Sequence, residues 1–173
     1  MILIAVGIFF MAIASLHWYL RWRALSLDKG LLIQYASYEQ ADFYAQPKRI
    51  YIQWFLDTEI TEQVLINNNW TIADREASHL ASSANPGENG NIIIYGHNKR
   101  EILGNIRALK GKEIITITTA GNIEHRYQVE KIAEVEPKQI EYLLPSNQEI
   151  LTLYTCSGFF DQKRFIVQAK PLK

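Results

Sequence analysis

Short runs rich in Ile, Val, Tyr and Thr recur from Lys48 to the end of the chain: Arg49–Trp54, Gln63–Ile66, Asn91–His97, Glu113–Ala120, Ile123–Val135, Glu149–Cys156 and Arg164–Ala169. β-Branched and aromatic side chains lose rotamer freedom on a helix but pack well on a pleated surface, so these runs predict strands. Ile123, His125, Tyr127 and Val129 alternate with Glu124, Arg126, Gln128 and Glu130. That period of two marks a half-buried antiparallel strand. Ile102–Leu109 predicts a short helix and Lys138–Leu144 a weaker one. Many strands, short turns and few helices predict an all-β domain, a closed barrel or a sandwich.

The N-terminal end is different. Ile2–Leu20 is almost continuously apolar, interrupted only by Gly7, Ser15 and His17, and Arg21 and Arg23 end it. About 19 helical residues approach the roughly 30 Å of a bilayer core, whereas a cleaved signal has only about 7–15 apolar residues before a small-residue cleavage site. The run therefore reads as an uncleaved transmembrane helix. The polar stretch from Ser26 to Gln46 reads as a helical stalk that Pro47 ends. The expected layout is an anchor over 1–24, a stalk or linker over 25–47 and one globular domain over 48–173.

Arg21 and Arg23 follow the helix, and the positive-inside rule would set that end in the cytoplasm. The chemistry read below requires the domain on the extracytoplasmic face of the cytoplasmic membrane, and the expectation follows the chemistry. Eighteen Lys and Arg balance 18 Asp and Glu, with no long basic run to attract a phosphate backbone. Nucleic acid is not an expected partner.

The chain has one cysteine, Cys156, so no intramolecular disulfide is possible. Such a thiol is either a buried apolar group or a reactive one. Cys156 ends the run Leu151-Thr152-Leu153-Tyr154-Thr155-Cys156 before Ser157-Gly158, where a strand gives way to a loop. A reactive thiol needs a cation or base nearby, because the thiolate is the nucleophile. Arg164 opens the following run. If the two strands pair as a hairpin with Cys156 opposite Arg164, both side chains share a face, and the guanidinium can meet a developing oxyanion.

For a base there are four histidines. His17 falls in the apolar run, and His79 and His125 read as structural. His97 follows Ile92-Ile93-Ile94-Tyr95-Gly96 and precedes Asn98-Lys99-Arg100, where a buried strand emerges, and Gly96 permits close approach beside it. The loop Ser82–Asn91 lacks the Gly-Lys-Ser/Thr ending of a phosphate loop. Glu134, Glu136, Glu141 and Glu149 are possible calcium ligands but read as solvated faces.

With these residues in place, the chain resembles a sortase. The resemblance covers roughly Arg49 to Lys173 and rests on three motifs in order: the Pro-Gly-x-x-Gly-Asn strand ending in Gly96-His97, the Thr-Leu-x-Thr-Cys pattern of Thr152–Cys156, and Arg164 at the start of the last strand. It implies an eight-stranded β-barrel with short helices in which His97, Cys156 and Arg164 converge. It also implies a cysteine transpeptidase that cleaves a Leu-Pro-x-Thr-Gly-like sorting signal of exported proteins after its threonine. Cys156 forms a thioacyl enzyme, His97 protonates the departing amine and later accepts a proton from the incoming one, and Arg164 holds substrate and oxyanion. The acceptor is an amine of peptidoglycan or pilin, and no cofactor is needed.

Asn98 and Tyr154 depart from residues common in the family, and the segment between Cys156 and Arg164 is too short for a long helical insertion. Housekeeping and pilus-type subclasses both stay open. The alternatives are a hydrolytic cysteine endopeptidase, an L,D-transpeptidase-like peptidoglycan enzyme, whose Ser-x-Gly-Cys and Cys-x-Arg surroundings are missing, and a tethered β-domain with an inert thiol.

Overall fold

The computed structural model describes residues 2–24, 43–63 and 73–172, with side chains only at 6–18 in the first stretch. Eight strands form a closed barrel: β1 (Pro47–Ile52), β2 (Leu56–Gln63), β3 (Ala77–Leu80), β4 (Asn91–Gly96), β5 (Ile114–Thr119), β6 (Glu124–Val135), β7 (Ile150–Ser157) and β8 (Lys163–Pro171). Around the barrel the order is β1-β2-β3-β4-β7-β8-β6-β5. The β2–β3 and β4–β7 pairs are parallel, and the others are antiparallel. The barrel alternative is the one adopted.

β4 explains why its sequence is an unbroken apolar run. Ile92 and Ile94 pack in the larger core cluster with Ile50, Leu153 and Val167. Ile93 and Tyr95 point to the opposite face, into a second cluster with Leu80, Tyr154 and Ile166. A strand buried on both faces loses the polar half of the period-two pattern. β6 serves both clusters by a different device. Its pairing with β8 shifts between Val129 and Lys131, which reverses the facing of later residues. Tyr127 and Val129 thus belong to the larger cluster and Val135 to the second. The alternation read from Ile123 to Glu130 stops at that bulge.

Several elements differ from the expectation. β2 begins at Leu56, because Leu56, Thr58 and Ile60 alternate with acids and bury one face only. The remainder of the expected strand Gln63–Ile66 lies outside the described residues. β3 was not expected at all; Ala-Ser-His-Leu has no β-branched residue, and pairing on both sides makes it a strand. Trp54 leaves the expected first strand for the β1–β2 turn. The helix expected at Ile102–Leu109 is a 3-10 helix at Gly104–Ala108, and that at Lys138–Leu144 is a 3-10 turn at Glu141–Leu143.

Ile2–Ala24 forms one α-helix, α1. Among the described residues no helix is long and apolar enough to cross a membrane. The expected stalk falls mostly outside the described residues.

Candidate active site

The end of the Thr-Leu-Tyr-Thr-Cys run is fixed to β4 by its two threonines. Thr152 Oγ1 donates to Asn91 Oδ1 at 2.7 Å, and Thr155 Oγ1 donates to the Gly96 carbonyl at 2.8 Å. Asn91 in turn donates through Nδ2 to the Tyr142 and Leu144 carbonyls, both at 3.0 Å, which ties the segment before β7 onto the barrel. All three side chains are buried, so each satisfied bond removes a desolvation penalty. The sequence singled out the threonines as part of a pattern but gave them no role.

The loop before β4 is shaped by its glycines. Gly87 has φ 89°, and its N–H donates to Glu149 Oε1 at 2.8 Å. At the other end of β4, a Cβ on Gly96 would come within 2.8 Å of Ile102 Cγ2 and 3.5 Å of Ala77 Cα. Gly96 is thus needed for close packing of the strand end against the following loop.

The parallel β4–β7 register ends at Gly96 opposite Thr155. One residue further along the two chains come His97 and Cys156. In the antiparallel β7–β8 ladder Cys156 faces Arg164 directly. The register therefore brings the three sequence-predicted residues to one end of neighbouring strands. The hairpin assumed in reading the sequence is present.

Cys156 is 2% exposed, and burial pushes its thiol up to about 11. The Arg164 charge works against that rise, and Asp161 adds to it. Desolvation of the thiolate outweighs the nearby guanidinium, so this site holds a neutral thiol at neutral pH. Arg164 Nη1 donates to the carbonyls of Asp161 and Lys163 at 3.0 Å each. The first carbonyl lies in the β7–β8 turn, where Phe160 and Asp161 have φ of 52° and 57°, and the second opens β8.

His97 is largely buried, and its Nε2 lies 3.6 Å from Asp74 Oδ1. Asp74 is also held at its carbonyl by Lys99 Nζ at 2.9 Å. Nothing in the sequence around Asp74 signalled this contact. Beneath the site Tyr95 and Tyr154 stack with ring centroids 5.4 Å apart. Burial raises both phenols above their ordinary range, so they stay neutral.

The remaining candidates lie elsewhere. His79 is buried, with Nδ1 2.6 Å from Glu62 Oε1 and Nε2 3.1 Å from both the Ala84 carbonyl and Ser83 Oγ. It fastens the loop after β3, as a structural histidine should. His125 sits half-buried on β6, and His17 on α1. Glu149 accepts the Tyr127 hydroxyl at 2.7 Å, and Glu134 pairs with Lys163 at 3.5 Å. Among the described residues no three His, Cys, Asp or Glu side chains are placed to hold a metal ion.

This barrel has known counterparts. The Sortase domain family matches residues 54–172. Sortase D5 transpeptidase from Clostridium perfringens superposes with TM-score 0.63 at 23% identity, covering 90% of this chain and 94% of that one. A lid mutant of Streptococcus agalactiae sortase C1 gives TM-score 0.64 at 21% identity, covering 76% and 71%. Sortase A from Corynebacterium diphtheriae gives TM-score 0.60 at 23% identity, covering 74% of this chain but spanning only 61% of the other. Among curated proteins no sequence match reaches significance.

Proposed function

The chain belongs to the sortase family, and from that premise we propose that it is a cysteine transpeptidase whose nucleophile is Cys156. The observation that carries this reading is the meeting of Cys156, Arg164 and the His97 end of β4 in one register. A neutral, buried thiol needs a proton acceptor as it attacks, and His97 is the base at hand. Cys156 Sγ bonds to the carbonyl carbon of the scissile residue, its proton passes by way of His97 to the departing amine, and the C–N bond breaks. The thioacyl enzyme remains. An incoming amine then attacks the same carbon and gives a proton to His97, the C–S bond breaks to leave the new amide, and the departing sulfur takes the proton from His97.

In both halves a tetrahedral oxyanion forms beside Cys156. Arg164 faces it across the ladder with a planar fork of guanidinium donors. Its Nη1 bonds to the Asp161 and Lys163 carbonyls fix where the guanidinium sits, which favours an oriented donor over a diffuse charge. No step calls for a cofactor or metal.

The substrate we propose is a C-terminal Leu-Pro-x-Thr-Gly-like sorting signal on an exported protein, and the acceptor an amine of peptidoglycan or pilin. The similar structures carry the names sortase A, C1 and D5. Likeness across these names leaves the housekeeping and pilus roles equally supported. Incubating the full chain in detergent with a library of signal peptides and a panel of amines, then reading products by mass spectrometry, tests the reading. Amine-linked product is expected; hydrolysed product alone favours an endopeptidase, and action only on peptidoglycan stem peptides favours an L,D-transpeptidase-like enzyme.

The layout proposed with this function is an anchor over 1–24, a stalk over 25–47 and the catalytic domain over 48–173. The apolar sequence of Ile2–Leu20 supports a single-pass anchor in the cytoplasmic membrane, with the domain outside where its substrates are. Protease added to wall-stripped cells should digest the domain. Full protection would show that Arg21 and Arg23 signal the opposite topology.

A further inference from the structure

A cleft of about 590 Å3 opens between the β1–β2 turn and the loop that leaves β4 beyond His97. Its walls include Tyr51, Trp54, Phe55, Asp57, Arg100 and Glu101, and none of the three residues of the candidate active site lines it. Trp54 dominates it. The indole is 91% exposed, more than any other large apolar side chain described, and Tyr51 beside it is 45% exposed. Trp54 also has φ 70°, a left-handed backbone that a bulky side chain rarely adopts and that Gly or Asn takes at little cost. The turn is closed by the Phe55 N–H donating to the Ile52 carbonyl at 3.0 Å. That bond does not require an indole at its tip. Neither the turn nor the core gains from Trp54, and an exposed aromatic held in a strained backbone points to a contact outside the chain.

The charges around the cleft decide which kind. Asp57 is already neutralised by Arg49, which donates from Nε at 2.7 Å and Nη2 at 2.5 Å. Arg100 and Glu101 carry opposite charges and cancel. A cationic amine-bearing peptide would gain from a net negative wall and a nucleic acid from a net positive one; this cleft has neither. It combines flat aromatic faces with carboxylate acceptors and guanidinium donors, the chemistry that suits a neutral ring with apolar faces and hydroxyls at its rim.

We propose that this cleft binds a neutral β-1,4-linked N-acetylhexosamine strand, one sugar face stacked on Trp54 and its hydroxyls bridged by Arg100 and Glu101. The choice of this sugar rests on peptidoglycan, one of the two acceptors proposed above; the site itself does not depend on the thiol.

The test is a ligand-observed NMR titration of the full chain, held in a detergent without a sugar headgroup, with the tetramer of β-1,4-N-acetylglucosamine. Saturable binding is expected with a dissociation constant of about 1 mM or tighter, weakened about tenfold or more in Trp54→Ala and far less in Trp54→Phe. Circular dichroism establishes that each variant is folded. Cys156→Ala should bind as the wild type does, so loss of transpeptidation and loss of sugar binding are separable. Absence of saturation at about 10 mM would overturn the proposal. So would unchanged affinity in folded Trp54→Ala, or a lysine-containing peptide that binds through Trp54 while the sugar does not.

Discussion

Cys156 and Arg164 are direct partners across the β7–β8 ladder, and the same register sets Tyr154 opposite Ile166 two pairs further in. The thiol therefore feels two opposed influences from fixed neighbours. Burial raises it, and the facing guanidinium lowers it. Burial wins.

The pH dependence follows. A thiol at about 11 in the folded protein, against an ordinary 9.0, means that the folded chain binds more protons than the unfolded one between those values. Stability associated with the neutral thiol is complete below pH 9 and is lost as pH rises through about 11, with a slope of at most about 1.4 kcal/mol per pH unit. Alkylation of Cys156 by iodoacetamide in the full chain should accelerate with pH toward a midpoint near 11. A midpoint at or below 8.5 would show that Arg164 and His97 already hold a thiolate.

Arg164→Lys keeps the charge but replaces a planar fork of donors with a compact ammonium. Losing an aimed donor to an oxyanion typically costs about 10²–10³ in rate. Acylation by a sorting-signal peptide should fall by about that factor, while alkylation by a small neutral reagent changes much less. Acylation within about threefold of wild type would show that bulk charge suffices and that the oxyanion role is wrong.

Asn91 makes three hydrogen bonds, a buried one accepted from Thr152 and two part-buried ones donated to Tyr142 and Leu144. Asn91→Ala leaves a hydroxyl and two carbonyls without these partners and should destabilise the full chain by about 2–4 kcal/mol in urea unfolding. A loss below about 0.5 kcal/mol would mean that water replaces the bonds and that Asn91 is not a pin between β4 and β7.

Tyr95 presents the converse case. Its ring is buried against Tyr154, but its hydroxyl has no hydrogen-bond partner among the described residues. Tyr95→Phe removes an unpaired polar group and keeps the stack, so stability should rise by about 1 kcal/mol. A loss of similar size would reveal a partner for that hydroxyl.

What the sequence could and could not convey is clearest along β4 and β7. The positions of Cys156, His97 and Arg164 were legible because each sits where an apolar run meets a polar loop. Chemistry at a strand end leaves that signature in one dimension. A local hairpin anticipated the Cys156–Arg164 pairing, whereas only the family resemblance implied the placement of His97 beside it. That placement depends on a parallel β4–β7 pairing between strands separated by the whole of β5 and β6, which no local pattern encodes. The barrel was visible in its β-branched runs, yet β3 was missed because four residues without a β-branched side chain acquire strand geometry only from their neighbours. The short helices shrank to 3-10 turns for a related reason. Ile102, Leu103, Ile106 and Leu109 are spaced as on a helix, but they fill gaps in the barrel core from a segment interrupted by Gly104. Asp74 beside His97 had no sequence signal because its contact exists only in three dimensions.

The most direct test is the intact mass of the full chain after mixing with a Leu-Pro-x-Thr-Gly peptide in the absence of an added amine. The account predicts an adduct of the acyl fragment ending at the threonine, mapped to Cys156, that disappears with formation of amide product when an amine is added. Cys156→Ala should remain folded and form neither adduct nor product, because alanine nearly replaces the thiol's packing volume but supplies no nucleophile. Adduct or product formed by folded Cys156→Ala, or an acyl group mapped to any other residue, would contradict it.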